Sequence, residues 1–381
     1  MSFTEKMKKN KKILVVIVVT VFLMVGFFVF FYIYNNRCYE NYTVKNQVER
    51  SDSNNVTYRY FNGNILKYSR SGISVIDNVG KSLWNGGYEM RQPQVDTCDN
   101  YVVVAEVGGK QLFVFDGTDE GTKLETSLPI VRAKVARQGV VAVLLQDRDS
   151  NVLNIYNPYA ATDSLLIEIP TNVSEEGYPL DFDISPDGKS VVISYMQTIG
   201  SKIENKVNFY NFSEVGKEKN TLVGGKSFGE NVIAKIEFVG DDTVVVFHEK
   251  GYTMFESMKQ PEMTVEMTFD ENIKSMAFGE GQIAVVTSKS GTVKDQMLTL
   301  YDESGGEKLK RKLDYEYSDM QIYGNEIIFV GNRSCDILRM NGKDKFHHKF
   351  EKEIDAVFPT TGATEYTLID SSMIQKISLE K

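Results

Sequence analysis

Residues 101–116 read YVVVAEVGGKQLFVFD. Val102, Val103 and Val104 form a β-branched run, Gly108 and Gly109 supply turn chemistry, and residues 112–115 form a second apolar run closed by Asp116. Two short strands joined by a tight turn fit this pattern, because a helix needs ten or more residues without such a break. Seven further stretches repeat it: NILKYSRSGISVID from Asn64, VVAVLLQDRDSNVLNIYN from Val140, SVVISYMQTIGSKIENKVNFYN from Ser190, TVVVFHEKGYTMFES from Thr243, QIAVVTSKSGTVKDQMLTLYD from Gln282, EIIFVGNRSCDILRMN from Glu326 and EYTLIDSSMIQKISLE from Glu365. Successive starts lie 37 to 53 residues apart, 43 on average, which is the period of a four-stranded propeller blade. A hairpin alone is marginal in water, so each must cover its two faces with neighbours, and radial repetition does this for every unit. No helix-period segment separates the hairpins, which disfavours a parallel α/β sheet, and a sandwich would not explain the step. The expected fold is all-β, a β-propeller of eight blades. Seven is the alternative, because the last unit ends at Lys381 after three strands and must either stay short or borrow a strand from residues before Asn64.

The N-terminus has a different composition. Residues 13–34 read ILVVIVVTVFLMVGFFVFFYIY, a run of 22 without a charge, long enough as a helix to cross about 30 Å of hydrocarbon. Lys8, Lys9, Lys11 and Lys12 precede it, and Tyr32, Tyr34 and Tyr39 mark its far border. The positive flank predicts a cytoplasmic N-terminus. A cleaved signal peptide would have a shorter apolar core and a small-residue cleavage site, and neither is present. The expected layout is a cytoplasmic basic tail (1–12), a transmembrane helix in the lipid bilayer (13–34), a polar linker (35–55) and an extracytoplasmic propeller (56–381), at the cell membrane with a single pass.

Composition narrows the partners. The net charge is −9, yet the first twelve residues carry +4, so the remainder carries −13. Such a domain repels phosphate backbones, which excludes nucleic acid as an expected partner. Cys38, Cys98 and Cys335 are too few and too scattered for a disulfide framework. His248, His347 and His348 are the only histidines and have no ligand-spaced companions, and no GxSxG, P-loop or GxGxxG occurs. No catalytic, metal or cofactor residue is expected, and the chain reads as a non-enzyme.

GISVIDNVGKSLWN in the first unit resembles the repeat of quinoprotein-like propellers, and Ser185-Pro186-Asp187-Gly188-Lys189 is similar to the SPDG turn of WD40-like propellers. With the basic-flanked apolar run, NGNILKYSRSGISVID and ARQGVVAVLLQD, the chain as a whole resembles a family of membrane-anchored bacterial propellers of unknown function. That resemblance implies a cell-surface location and carries no chemistry. The enzyme alternative is a quinoprotein-like dehydrogenase or another propeller enzyme. Such dehydrogenases repeat a tryptophan motif in nearly every blade, whereas Trp84 stands alone here.

The strands that precede the hairpins read VTYRYF, PQVDTC, VRAKVA, YPLDFD, VIAKIE, NIKSMA, YSDMQI and EIDAVF. Each carries a charge near one site: Arg59, Asp96, Lys134, Asp181, Lys235, Lys274, Asp319 and Asp355. The first strand of a blade lines the axis, so these eight are expected to form a neutral ring that cross-pairs between blades or grips a small ligand or peptide end. The candidate contact loop is the longest hairpin connection: Met196, Gln197, Thr198, Ile199, Gly200, Ser201, Lys202, Ile203, Glu204 and Asn205. The expected function is a binding platform for a protein, a peptide or an envelope polymer.

Overall fold

The computed structural model describes residues 18–30, 32, 36–50, 55–118, 120–147, 150–161, 163–213, 222–279 and 281–381. The basic tail expected at 1–12 and part of the apolar run lie outside the described residues. Eight four-stranded antiparallel sheets surround a common axis. The strands that open the blades are Thr57–Phe61, Pro93–Cys98, Ile130–Val135, Tyr178–Ile184, Ile233–Phe238, Asn272–Gly279, Asp319–Tyr323 and Ile354–Pro359, for blades 1 to 8 in order. Each of the eight hairpins read from the sequence forms the two middle strands of a blade.

Packing explains why those middle strands are apolar on both sides. Ile65 and Leu66 are both fully buried, but Leu66 joins the cluster between blades 1 and 2 while Ile65 joins the one between blades 8 and 1. One such cluster fills each gap around the ring, the gap between last and first included. Each fully buried Leu, Ile or Val contributes roughly 1.5–3 kcal/mol. Close approach also fixes a glycine: a Cβ on Gly86 would stand 2.1 Å from the Phe115 ring, the ring that stacks on Trp84 at 5.6 Å.

The stretch expected as linker, 35–55, contains a strand. Asn41–Glu49 pairs antiparallel with the C-terminal strand Met373–Glu380, from Asn41 opposite Glu380 to Glu49 opposite Met373. It supplies the fourth strand of blade 8, so the propeller starts at Asn41 rather than at residue 56 and closes with eight complete blades. An outermost strand faces water, and seven of these nine residues are exposed, so their composition is that of a linker. Covering the Met373–Glu380 edge completes the last sheet.

Residues 18–30 are helical, and no helix among the described residues is long and apolar enough to cross a membrane. The helix end is tied to blade 7. Asn341 Nδ2 donates to Asn36 Oδ1 at 2.9 Å, and an Arg339 guanidinium nitrogen donates to the Arg37 carbonyl at 2.7 Å. Asn341 lies in the turn between the third and fourth strands of its blade. In an antiparallel meander that turn shares a face of the disc with the turn between the first and second strands. The helix therefore leaves from this helix-side face, and the turns between second and third strands point to the far face.

Candidate functional site

The first strand of a blade has hydrogen-bond partners on one side only, so some of its N–H groups look toward the axis and need acceptors. In blades 3 and 5 the preceding blade supplies them. Gln94 Oε1 accepts from the Ala133 N–H at 3.2 Å and Asp96 Oδ2 from the Val135 N–H at 3.0 Å. Two blades on, Asp181 Oδ2 accepts from Ile236 N–H at 2.8 Å and Asp183 Oδ2 from Phe238 N–H at 2.7 Å.

The cations complete this lattice. Arg132 pairs with Asp181, and Lys134 Nζ lies 3.4 Å from Asp96 and 3.3 Å from Asp183. Three carboxylates thus share two cations in a desolvated wall, and the excess negative charge is least tolerable at Asp183. Burial pushes Asp183 up to about 6 despite Lys134, with Asp96 adding repulsion and the Phe238 N–H opposing it. Lys134 loses hydration by burial, but Asp96, Asp183 and Asp181 more than offset this and hold it charged, above the ordinary lysine range.

Beyond blade 4 the pattern opens. Lys235 Nζ bonds Glu237 of its own strand at 2.6 Å and keeps 55% of its side chain exposed. Asp319 accepts from Gln321 Nε2 at 3.1 Å, and Arg59 donates to the Val95 carbonyl at 2.8 Å. Asp355 pairs with Arg50, which follows the closing strand. Lys274 lies over the Tyr317 ring at 4.0 Å, and burial lowers its pKa against the pull of Glu316. The eight expected charges therefore do not form one uniform ring. Lys274 and Asp355 fall on bulge residues, where the register skips from Ile273 to Ser275 and from Ile354 to Ala356, which moves them off the position held by Asp181 and Lys235.

The space left by blades 1, 2, 5, 7 and 8 is a cavity of about 570 Å³ lined by Arg59, Lys235, Glu237, Asp319, Gln321 and Asp355 among others. Its helix-side end is closed. Tyr60 and Tyr323 pack at 5.0 Å and Phe358 completes an aromatic trio. Across the other blades Arg137 reaches Asp99 of blade 2 at 2.9 Å and Asp241 of blade 5 at 3.3 Å, while its N–H donates to the Pro186 carbonyl of the SPDG turn at 2.7 Å. The exposed charges Lys235, Asp319 and Asp355 sit toward the far face.

Residues 196–205 are not a loop. Strands Ser190–Ile199 and Lys202–Asn211 stay paired to their tips, with Ile199 opposite Lys202, and Gly200 at φ 64° turns the chain. This long hairpin points to the far face. The one-turn helix Val173–Glu176 braces it through Gln197 Nε2, which donates to the carbonyls of Ser174 and Glu175. Near its tip Ile199 and Ile203 are 54% and 47% exposed, whereas Asn205 at its base is buried and donates to the Gly229 carbonyl. Sequence reasoning missed Arg132, Asp183, Glu237 and Gln94. The available signal was a second polar or charged residue two positions from the first, which in a strand shares its face.

Among the described residues no His/Cys/Asp/Glu group is arranged to hold a metal. The chain belongs to a family of unknown function, DUF5711, which matches residues 35–379. No curated protein matches the sequence. Among solved structures the chain is similar to BamB from Moraxella catarrhalis, at 12% identity over 89% of this chain and 98% of that one, with a TM-score of 0.52. It is also similar to a eukaryotic initiation factor (11%, 87% and 84%, 0.54) and to the computationally designed Ika8 protein (11%, 86% and 96%, 0.53). At such identities the likeness shows the propeller fold.

Proposed function

We propose that this DUF5711 chain is a single-pass membrane protein with a cytoplasmic N-terminus, whose propeller stands outside the cytoplasm and presents its far face to a protein or peptide. The observation that carries the reading is the surface of the N-terminal helix. Val18, Phe22, Leu23, Phe27 and Phe28 are each at least 60% exposed, and at about 100° per residue they cover every side. An apolar surface of that kind is stable against lipid, not water, and the uncharged run of residues 13–34 supplies the rest of the span. The helix leaves from one face, while the hairpin tip and the exposed axial charges lie toward the other, free to meet a partner.

On this reading the propeller has no catalytic role, since Asp96, Asp181, Asp183 and Asp355 already face cations or backbone donors. Ser201→Cys in a Cys38→Ser background tests the topology: an impermeant maleimide labels it on intact cells, and labelling only after lysis overturns the reading. A photo-crosslinker at the same position tests the platform. The expected result is a discrete adduct that disappears in the Ile199→Asp, Ile203→Asp double variant with melting unchanged, and no adduct at all rules the platform out.

A further inference from the structure

Where the helix meets the propeller there is a second, larger cavity, of about 1020 Å³. Phe28 and Val29 form its wall on the helix, Met340 and Ala363 face them from blades 7 and 8, and Arg339 and Asn341 stand at its polar end. Two cations beside it have only neutral partners. Arg339 donates to the carbonyls of Asp344 at 2.8 Å and Arg37 at 2.7 Å. Lys343 donates to the Tyr32 hydroxyl and stands 4.1 Å from the centre of that ring. Among the described residues neither lies within ion-pair distance of a carboxylate. The nearby acids are engaged elsewhere, Asp344 with Arg311 at 3.1 Å and Glu326 with the buried Lys345 and with Tyr366.

Tyr32 is the aromatic residue expected at the level of the headgroups, so its contact with Lys343 fixes the height of both cations. We propose that this cleft holds the headgroup of an anionic phospholipid, with the phosphate on Arg339 and Lys343 and the first acyl carbons against Phe28 and Met340. The proposal rests on the membrane-anchored reading above. Guanidinium and ammonium donors suit a phosphodiester, and a cavity of this size admits a headgroup with part of a chain. A zwitterionic lipid would bring its own ammonium beside the two cations, which sets the preference for a headgroup of net negative charge.

The experiment is native mass spectrometry of the full chain released from nanodiscs of equal phosphatidylglycerol and phosphatidylcholine. The wild type is expected to retain phosphatidylglycerol about tenfold over phosphatidylcholine, and the Arg339→Gln, Lys343→Gln variant to retain the two equally, with an unchanged melting temperature. Soluble glycerol phosphate at millimolar concentration is expected not to compete. Equal retention by the wild type overturns the headgroup site, and competition by glycerol phosphate reassigns it to a soluble anion. Extraction of the chain from vesicles by alkaline carbonate overturns instead the anchor on which the site depends.

Discussion

Blades 2 to 4 and blades 5 to 8 place the same kinds of side chain toward the axis and reach opposite results. In the first group Asp96, Lys134, Asp183, Arg132 and Asp181 contact one another and the next backbone, and the wall is continuous. In the second, Lys235 and Asp319 bond within their own strands and a cavity remains. The difference lies in what the adjoining strands offer. Arg132 and Lys134 stand between Asp96 on one side and Asp181 and Asp183 on the other, so their charges pair between blades, whereas Lys235 and Glu237 of blade 5, also spaced i and i+2, pair with each other. Blade 6 offers only Ser275 and Ala277 beyond its bulge and blade 8 offers Ala356, so no charge stands at those positions to pair with.

The comparison breaks most directly at Lys134. Lys134→Ala leaves Asp96 and Asp183 facing each other without a cation and is expected to cost about 3–5 kcal/mol in urea unfolding. A loss below about 1 kcal/mol would mean that the paired half is held by its apolar clusters alone. A smaller effect follows from Asp183. Its folded pKa of about 6 lies above the ordinary carboxyl value of 3.8, so between pH 4 and 6 the folded state holds a proton that the unfolded chain has released. Its contribution is present below pH 4 and lost as pH rises through 6. Wild type is therefore expected to lose about 2–3 kcal/mol relative to Asp183→Asn between pH 4 and 7; a pH-independent difference would place the excess charge elsewhere. The smallest effect belongs to the open half. Lys235→Ala removes a half-exposed pair and is expected to change stability by about 0.5 kcal/mol or less, and a cost like that of Lys134→Ala would erase the distinction.

Blade number was legible because each middle hairpin must be apolar on both faces, which stamps residues such as 102–105 and 243–247 onto the sequence. Ring closure was legible only as one of two alternatives, a strand borrowed from before Asn64, and the strand itself was not. Asn41–Glu49 buries little beyond Tyr42, its partner strand ends at Glu380, and no local pattern records a pairing over such a separation. The axial charges were half legible. One charge per strand could be aligned, but the companions Arg132, Asp183 and Glu237 change the meaning of that alignment. The bulges that displace Lys274 and Asp355 leave no trace in residue type. Residues 196–205 were mistaken for a loop because Gln197, Thr198, Lys202 and Glu204 are polar, as any strand that projects beyond its neighbours must be.

The closing strand has a mechanical consequence. It begins within a few residues of the helix and runs from the helix-side face to the far face, alongside Met373–Glu380. A pull transmitted through Asn41 against a load on the far face acts along the strand, across hydrogen bonds that lie perpendicular to it. All the rungs between Asn41 and Glu49 then share the tension at once in shear, instead of yielding one after another as an unzipping hairpin would, and the ring is seamed where a tether would pull on it.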